Sequence, residues 1–382
     1  MRRKTKFRCT IMRGGTSKGI FLSEEDLPPD HELRDRIVLA IFGSPDIRQI
    51  DGLGGADSLT SKLALIKPST EPDRDIIYTF GAVGIDTPFV DYSANCGNIS
   101  SAVGPYAIDQ GLVRAESPFT TVRIFNTNTQ KMIYSKVPVK RGNVVSDGDY
   151  AIDGVPGTGA KIELSFVDPG GATTGKLLPT GNVVDEIKLE TGERFHVTMV
   201  DAGNPTAFVG AEELGLKGTE LPAEFDQDAG GKMKLEAIRR KVGEAMGVPV
   251  SPSIPKISFI APSQGYRTVT GQEIRKEEIN LVARVMAMGK VHKTFAITAG
   301  IPAAIAAVIP GSTVHKVTGG ASDHPLTRTV NIGHPSGQMD VRVEAKQEGG
   351  HLRVLSCTVG RTARKIMEGW VFIPGEAYSS AK

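Results

Sequence analysis

Three short segments of the first half hold residues that could perform acid–base chemistry on an anionic substrate. The first, Met12–Gly19 (MRGGTSKG), places two cations, Arg13 and Lys18, around a glycine pair and two hydroxyls. Such a loop can turn backbone N–H groups toward an anion while the cations add charge. Its spacing is not that of a Walker loop, so it predicts no nucleotide. The alternative interpretation is an ordinary hairpin turn.

The second segment, Asn95–Asn98 (NCGN), puts Cys96 at the start of a predicted helix. The helix dipole and free N–H groups there favour a thiolate and lower the pKa of the thiol. The same N–H groups can hold a substrate carboxylate. The alternative is a small buried hydrophobic residue, which is how we interpret Cys9 and Cys357 in their strand-like runs.

The third segment, Asp57–Ile66, places Lys62 at the start of an apolar run. A buried ammonium group is unfavourable unless it is paired, and burial lowers its pKa toward a useful basicity. The alternative is a lysine at a strand edge whose amine reaches water.

The second half offers weaker signals. Lys293 precedes Thr298-Ala299-Gly300, which opens an apolar segment whose helix N-terminus could receive an anion. We interpret the isolated His292 and His334 as structural. A Ser-His-Asp hydrolase is disfavoured because the sequence has no Gly-x-Ser-x-Gly motif.

Composition excludes several classes of protein. The 382 residues carry 45 basic and 43 acidic side chains, without the gathered basic excess of a nucleic-acid binder. Three widely separated cysteines provide neither a disulfide framework nor zinc-site spacing, so no metal is predicted.

No apolar stretch reaches membrane-spanning length, and no secretory signal is visible. We expect a cytoplasmic protein. Its 44 glycines indicate tight turns or backbone close to a ligand.

Alternating β-rich runs predict strands at 121–125, 132–137 and 194–200. Apolar residues at helical spacing predict helices at 233–246, capped by Gly247, and at 276–288. Two further segments, 98–108 and 301–309, are apolar on every side, so each predicts a helix surrounded by protein. Pro105 is expected to kink or end the first, and Pro302 suits the first turn of the second.

One buried helix among many strands in each half predicts an α+β protein of two domains. We place the domains at 1–185 and 186–382, because turn residues cluster at 180–195. The last segment is expected to cross back to the first domain.

Together, these segments resemble the PrpF family of cofactor-free isomerases. The family includes 2-methylaconitate cis-trans isomerase, 4-oxalomesaconate tautomerase and methylitaconate Δ-isomerase. The matching motifs cover almost the whole chain: MRGGTSKG, FGSPD, QIDGLGGADSLTSK, NCGNIS, LPTGNVVD, GHPSG and GRTARKIMEG. The resemblance implies the diaminopimelate-epimerase-like fold, with two similar domains, each a curved sheet around a central helix, and an active site between them.

The resemblance also implies that Lys62 and Cys96 form an acid–base pair and that no cofactor takes part. Diaminopimelate epimerases use a cysteine at one helix start in each domain, whereas the second counterpart here, Thr298-Ala299-Gly300, has no thiol. A two-cysteine racemase is therefore disfavoured. The candidates for holding substrate carboxylates are Ser17, Lys18, Ser61, Gly97, Asn98, Lys293, Thr298 and Arg361.

The implied reaction moves a C=C bond in a small unsaturated di- or tricarboxylate by an allylic proton shift. We assign Lys62, neutral through burial, as the base and Cys96 as the acid, with the roles exchanged in reverse. The segment Ser44–Gly52 lacks an insertion associated with the 2-methylaconitate enzymes, which favours double-bond migration over cis-trans isomerisation.

Other functions stay open at this point. The alternatives within the family are cis-trans isomerisation of 2-methylaconitate or aconitate and tautomerisation of 4-oxalomesaconate. A carboxylate-binding protein without catalysis is the non-enzyme alternative. Homo-oligomerisation also stays open.

Overall fold

The computed structural model describes residues 5–287, 289–320, 326–349 and 351–378. Among them no helix is long and apolar enough to cross a membrane. The six helices that these residues form are α1 His31–Phe42, α2 Gly97–Asp109, α3 Pro222–Gln227, α4 Ala229–Met246, α5 Ile297–Ala307 and α6 Thr313–Val317. Their strands are β1 Lys6–Gly14, β2 Ser17–Ser23, β3 Lys62–Pro68, β4 Ile76–Val83, β5 Val90–Asp91, β6 Phe119–Asn126, β7 Lys131–Lys140, β8 Asn143–Val144, β9 Ile162–Val167, β10 Asp185–Lys188, β11 Arg194–Ala202, β12 Asn204–Gly210, β13 Lys256–Pro262, β14 Tyr266–Arg267, β15 Glu273–Ile274, β16 Leu281–Ala287, β17 Lys290–Val291, β18 Thr327–His334, β19 Gly337–Glu348, β20 His351–Arg361 and β21 Ala363–Phe372. The three predicted strands are confirmed as parts of β6, β7 and β11.

The chain divides into two compact units, and the first comprises Met1–Leu164 and Arg361–Lys382. Its mixed sheet runs in the order β21, β1, β2, β3, β4, β6, β7. The β2–β3 and β4–β6 pairs are parallel, and the other pairs are antiparallel. Since β21 pairs with β1 along its whole length, the last strand of the chain completes this sheet.

Helix α2 is the centre of the first unit. It packs against every strand of that sheet, so the sheet curves around it. Twelve of its thirteen residues are buried, which confirms the predicted buried helix. Pro105 lies inside the helix without ending it, since the last residue is Asp109.

Helix α1 covers the other face of the same sheet. Its Ile37, Val38 and Ile41 pack into one apolar cluster with Leu63 and Leu65 of β3. Because successive residues of a strand face opposite sides, Lys62 faces α2 while Leu63 faces α1. Strand β3 is thus buried on both faces, and Lys62 begins it on the inner face.

The second unit, Ser165–Gly360, contains a sheet in the order β10, β11, β12, β13, β16, β18, β19, β20. Helix α5 lies among β11, β12, β18 and β19, and all of its residues are buried. It begins at Ile297, so the position predicted for Pro302 is wrong: this proline is the sixth residue of the helix. Helix α4 covers the outer face and ends at Gly247 in a left-handed conformation, which confirms the predicted cap.

The predicted helix at 276–288 is wrong. Lys276–Glu278 form a short 3-10 turn, and Leu281–Ala287 form strand β16. This strand lies between β13 and β18, and its residues 281–286 are all buried. A strand buried on both faces shows no alternation, so its apolar residues also match helical spacing. Met288 lies outside the described residues.

The two units repeat one topology, although the sequence shows no obvious repeat. In each unit a hairpin is followed by a helix on the outer face, a parallel strand, an antiparallel strand, the central helix and a second parallel strand. The register also agrees. Lys62, the first residue of β3, pairs with Gly19, the third of β2. Lys256, the first residue of β13, pairs with Thr206, the third of β12.

The division into units differs from the predicted boundary at 185. Residues 165–185 group with the second unit, where their backbone is tied to the β11–β12 hairpin. The Asp201 side chain accepts hydrogen bonds from the amides of Thr173 and Thr174, and its carbonyl accepts one from Gly171. Turn residues at 180–195 mark a surface turn rather than the start of a unit.

Candidate active site

Lys62 and Cys96 lie side by side in the first unit. The Nζ atom of Lys62 donates a hydrogen bond to the Sγ atom of Cys96 at 3.1 Å. Both residues are buried, with 9% and 8% of their surfaces exposed. The Lys62 ammonium also lies 5.9 Å from the ring centroid of Phe80, within range of a cation–π contact. The structure therefore brings into contact two residues that their motifs indicated separately and that the family resemblance paired.

Cys96 occupies the N-cap position of α2. Burial would raise the pKa of its thiol, but the Lys62 charge, the hydrogen bond from Lys62 and the amide groups of Ile99 and Asn98 outweigh burial. They hold the Cys96 pKa below its usual range. A sulfur that faces an ammonium group and a helix N-terminus is therefore a thiolate more readily than an ordinary cysteine is.

A polar network behind Cys96 was not found from the sequence. The Asn95 side-chain oxygen accepts hydrogen bonds from the Cys96 amide at 2.7 Å and from the Ser100 hydroxyl at 3.3 Å. The Ser100 hydroxyl also donates to the Cys96 carbonyl. Tyr78 of β4 is fully buried nearby, and burial and the charge of Cys96 raise its pKa well above the usual value. Tyr78 thus stays a neutral phenol beside the pair.

The turn of the β1–β2 hairpin packs closely against the first turn of α2. A Cβ atom on Gly14 would lie 2.4 Å from the carbonyl oxygen of Asn98, and one on Gly15 would lie 2.1 Å from its side-chain oxygen. Gly15 also has φ +50°, a left-handed conformation that favours glycine. The amide of Thr16 donates to the Asn98 side chain at 3.4 Å. The predicted glycine loop is therefore a hairpin turn, and its glycines bring backbone against the helix start.

Ser17 and Lys18 follow that turn. Ser17 is buried, and its hydroxyl has no hydrogen-bond partner within the part of the chain that the structure describes. Ser17 lies on the same face of β2 as Gly19. A Cβ atom placed on Gly19 would contact the Ile99 side chain of α2. The Ser17 hydroxyl therefore faces the α2 side of the sheet. The amide of Lys18 donates to the carbonyl of Leu59 at 2.9 Å.

The segment around Arg361 lies against the same hairpin. The Thr362 carbonyl accepts hydrogen bonds from the Gly15 amide at 3.0 Å and from the Arg13 guanidinium at 2.9 Å. Burial and the charge of Arg364 lower the pKa of Arg13. Arg13 thus supports the turn, and the buried Arg361 directly precedes Thr362 in the chain.

The Ser61 hydroxyl forms a hydrogen bond with another side chain of the protein. It donates to the side-chain oxygen of Gln49 at 2.6 Å. The same oxygen accepts the amide of Ala56 at 2.8 Å, and the Gln49 amide group donates to Ser44 at 2.9 Å. Gln49, the first residue of the QIDGLGGADS motif, is buried, which its position in a polar loop did not indicate.

The remaining candidates belong to the second unit. Thr298 is the buried second residue of α5, and the carbonyl of the exposed Lys293 accepts a hydrogen bond from Ser336. His334 and His292 each accept a hydrogen bond at Nδ1, from the amides of Ser336 and Thr294. These contacts suit the structural role expected of both histidines.

The second unit has no thiol at the position equivalent to Cys96. Helix α2 begins six residues after β5 ends at Asp91, and α5 begins six residues after β17 ends at Val291. The N-cap residues that precede them are Cys96 and Ala296. The counterpart of Cys96 is therefore Ala296 rather than the Thr298–Gly300 segment named from the sequence.

Comparisons with known proteins agree with this geometry. A family model described as PrpF protein matches residues 4–374. The 3-methylitaconate isomerase of Eubacterium barkeri is 47% identical over 374 residues, which cover 96% of each chain. The 2-methyl-aconitate isomerase of Shewanella oneidensis is 39% identical over 389 residues, which cover 97% of each chain.

Solved structures confirm the fold. A crystal structure of methylitaconate-delta-isomerase matches with a TM-score of 0.79 and 45% identity, and it covers 98% of this chain and 97% of that one. A hydroxyproline epimerase from Agrobacterium vitis matches with a TM-score of 0.55 at 13% identity, over 97% of this chain and 94% of that one. The second match concerns the fold alone. The expected α+β, diaminopimelate-epimerase-like fold is thereby confirmed.

Proposed function

Because the chain belongs to the PrpF family and is an isomerase, we propose that it moves a C=C bond in a small unsaturated di- or tricarboxylate such as 3-methylitaconate, without a cofactor. The contact of 3.1 Å between Lys62 Nζ and Cys96 Sγ carries this proposal. It puts a proton donor and a proton acceptor within reach of one small substrate.

The reaction is a 1,3-proton shift. A base removes the proton from the carbon that is allylic to the double bond and itself carries a carboxylate, and the C–H electron pair is delocalised over that carboxylate and the double bond as a dienolate. An acid then adds a proton to the far alkene carbon, so that a methylene group becomes a methyl group. One proton leaves and one arrives, so the substrate needs no oxidant or reductant.

When the reaction starts from a Cys96 thiolate and a Lys62 ammonium, electrostatics favours Cys96 as the base and Lys62 as the acid. The lowered pKa of Cys96 favours a thiolate beside the Lys62 ammonium. This assignment reverses the roles that we chose from the sequence. The opposite direction uses the same two groups with their protons exchanged, as reversibility requires.

The first turn of α2 and the adjoining hairpin are suited to hold the substrate carboxylates. The amides of Gly97 and Asn98 lie in the first turn of the helix, and the N–H groups of a helix N-terminus attract anions. The Ser17 hydroxyl is buried without a partner among the described residues, and such a group is stabilised when a ligand bonds to it. Lys18 and Arg361 would supply positive charge for the dienolate. Three further candidates stay predicted contacts: Ser61, Lys293 and Thr298.

The choice of 3-methylitaconate follows the similarity. The relative of that name is 47% identical, whereas the 2-methyl-aconitate isomerase is 39% identical. The compact Ser44–Gly52 segment supports the same choice.

The test is a proton NMR assay in D2O with 3-methylitaconate, 2-methylaconitate, aconitate and 4-oxalomesaconate as separate substrates. We expect 3-methylitaconate to turn over fastest and its new methyl group to carry one solvent deuteron. Cys96→Ala and Lys62→Met should each lose at least about a hundredfold in turnover. Cys357→Ala, which removes a buried thiol from the second unit, should retain it.

Two results would contradict the proposal. Full turnover in both Cys96→Ala and Lys62→Met would exclude the pair as the acid and base. A substrate that raises thermal stability but exchanges no proton would instead identify a carboxylate-binding protein.

A further inference from the structure

Gln49 occupies a buried position in the loop that connects α1 to β3. Only 2% of its surface is exposed, although its neighbours Ile47 and Ile50 are 72% and 71% exposed. Its φ of +47° is left-handed, a conformation that non-glycine residues rarely adopt. The backbone thus turns one polar side chain inward between two apolar side chains that face outward.

The Gln49 side chain uses its oxygen and its amide group in three hydrogen bonds. The oxygen accepts the hydroxyl of Ser61 at 2.6 Å and the amide of Ala56 at 2.8 Å. The amide group donates to the hydroxyl of Ser44 at 2.9 Å. Gly54 lies so close that a Cβ there would come within 2.2 Å of the Gln49 oxygen. The loop is therefore closed around this one side chain.

Ser61 is the residue directly before Lys62. Its amide donates to the Asp57 carbonyl at 3.0 Å, and its carbonyl accepts the amide of Val83 at 3.1 Å. The hydroxyl bond to Gln49 adds a contact on the loop side. These contacts fix the backbone from which the Lys62 side chain reaches Cys96.

We propose that Gln49 is a positioning residue for the acid–base pair: through Ser61 it fixes the start of β3 and so holds the Lys62 amine against Cys96. The inference rests on the proposed function of the pair, but the placement of the amine can be measured without a substrate. Small displacements of a catalytic group can cost two orders of magnitude in rate.

The experiment follows the rate at which iodoacetamide alkylates Cys96 as a function of pH, with the site of reaction identified by mass spectrometry. Gln49→Met keeps the length of the side chain and removes its hydrogen bonds. We expect it to raise the pH midpoint by about half a unit, because the thiolate loses part of the stabilisation by Lys62. We also expect kcat to fall about tenfold with little change in KM.

Ser61→Ala is a milder variant for the case in which Gln49→Met does not fold. It should shift the midpoint in the same direction, and the double variant should shift it no further than Gln49→Met alone, because both act through one hydrogen bond. Ser44→Ala is the matched control. It removes a hydroxyl that also bonds to Gln49 but is remote in sequence from Lys62, so it should leave the midpoint unchanged.

The proposal is overturned if folded Gln49→Met or Ser61→Ala keeps the wild-type midpoint, or if Ser44→Ala shifts it as much as Ser61→Ala does. Failure of the proposed function gives a different pattern. In that case the midpoint still shifts as expected, but none of the four carboxylates is turned over.

Discussion

At the scale of single residues, Lys62 and Cys96 act as one unit. Each charged form would be unfavourable alone in its buried position, since neither an isolated ammonium nor an isolated thiolate has water around it. Their contact stabilises the thiolate of Cys96. Removing Lys62 therefore changes the protonation of Cys96.

We predict that Lys62→Met raises the pKa of Cys96 above that of the wild-type thiol. Burial, which favours the neutral thiol, then acts without the opposing charge of the lysine. The iodoacetamide reaction of Cys96 should move to higher pH, and its rate at neutral pH should fall about tenfold or more. Cys357 is the internal control, because burial raises its pKa and it should stay unreactive in both proteins. An unchanged pH profile would show that Lys62 does not stabilise the thiolate.

The motifs indicated these two residues one at a time, and only the family resemblance paired them. Cys96 stood out because a predicted helix followed it, and Lys62 because a cation began an apolar strand. The two residues are 34 positions apart in the chain, so no spacing argument could predict the distance of 3.1 Å between them. Gln49 and Tyr78 gave no signal, since a polar side chain in a loop and a tyrosine in a strand are ordinary until their burial is known.

At the scale of elements, the candidate site depends on the close approach of the β1–β2 hairpin to α2. Gly14 and Gly15 allow that approach because a side chain at either position would overlap Asn98. The positive φ of Gly15 adds a second reason for glycine. These two effects can be separated by comparison with a glycine in an open turn.

We predict that Gly15→Ala destabilises the protein more than Gly142→Ala. Both glycines have positive φ, but a Cβ on Gly142 meets nothing within 4 Å, whereas one on Gly15 lies 2.1 Å from Asn98. Gly142→Ala should cost about 1–2 kcal/mol from conformation alone, and overpacking should add about 1–3 kcal/mol at Gly15. Denaturant unfolding measures the difference, and turnover should fall only in Gly15→Ala. Equal losses in the two variants would mean that the hairpin can move away from α2 freely.

Patterns in the sequence identified a helix in two situations. Either one face of the helix was polar and the other apolar, or a long segment was apolar on every side. Helix α4 was found because its apolar stripe alternates with charged residues, and α2 because its apolar run is long. Strand β16 was mistaken for a helix because burial on both faces removes the alternation that marks a strand. The start of α5 was missed because Pro302 resembles a first-turn residue.

At the scale of the whole molecule, the two units share a topology, a register and a lysine at the equivalent strand start, but they differ at the N-cap of the central helix. Lys256 begins β13 on the face opposite α4, as Lys62 begins β3 on the face opposite α1. Ala296 occupies the N-cap of α5, the position equivalent to that of Cys96 at α2. The repeat was invisible in the sequence because packing constrains the polarity and size of side chains more than their identity.

We predict that Ala296→Cys in a Cys96→Ala background creates a thiol with a lowered pKa. The new sulfur would occupy the N-cap of α5, where the dipole and free N–H groups of the helix favour a thiolate. Ala296 is partly exposed, so a reagent can reach the position. Alkylation followed across pH, with the modified residue identified by mass spectrometry, should give a midpoint below the usual value of about 8.5. The Cys96→Ala parent protein is the control, since its buried Cys9 and Cys357 have raised pKa values and should react slowly. A midpoint at or above the ordinary value would show that the shared topology does not extend to the electrostatics of the two helix starts.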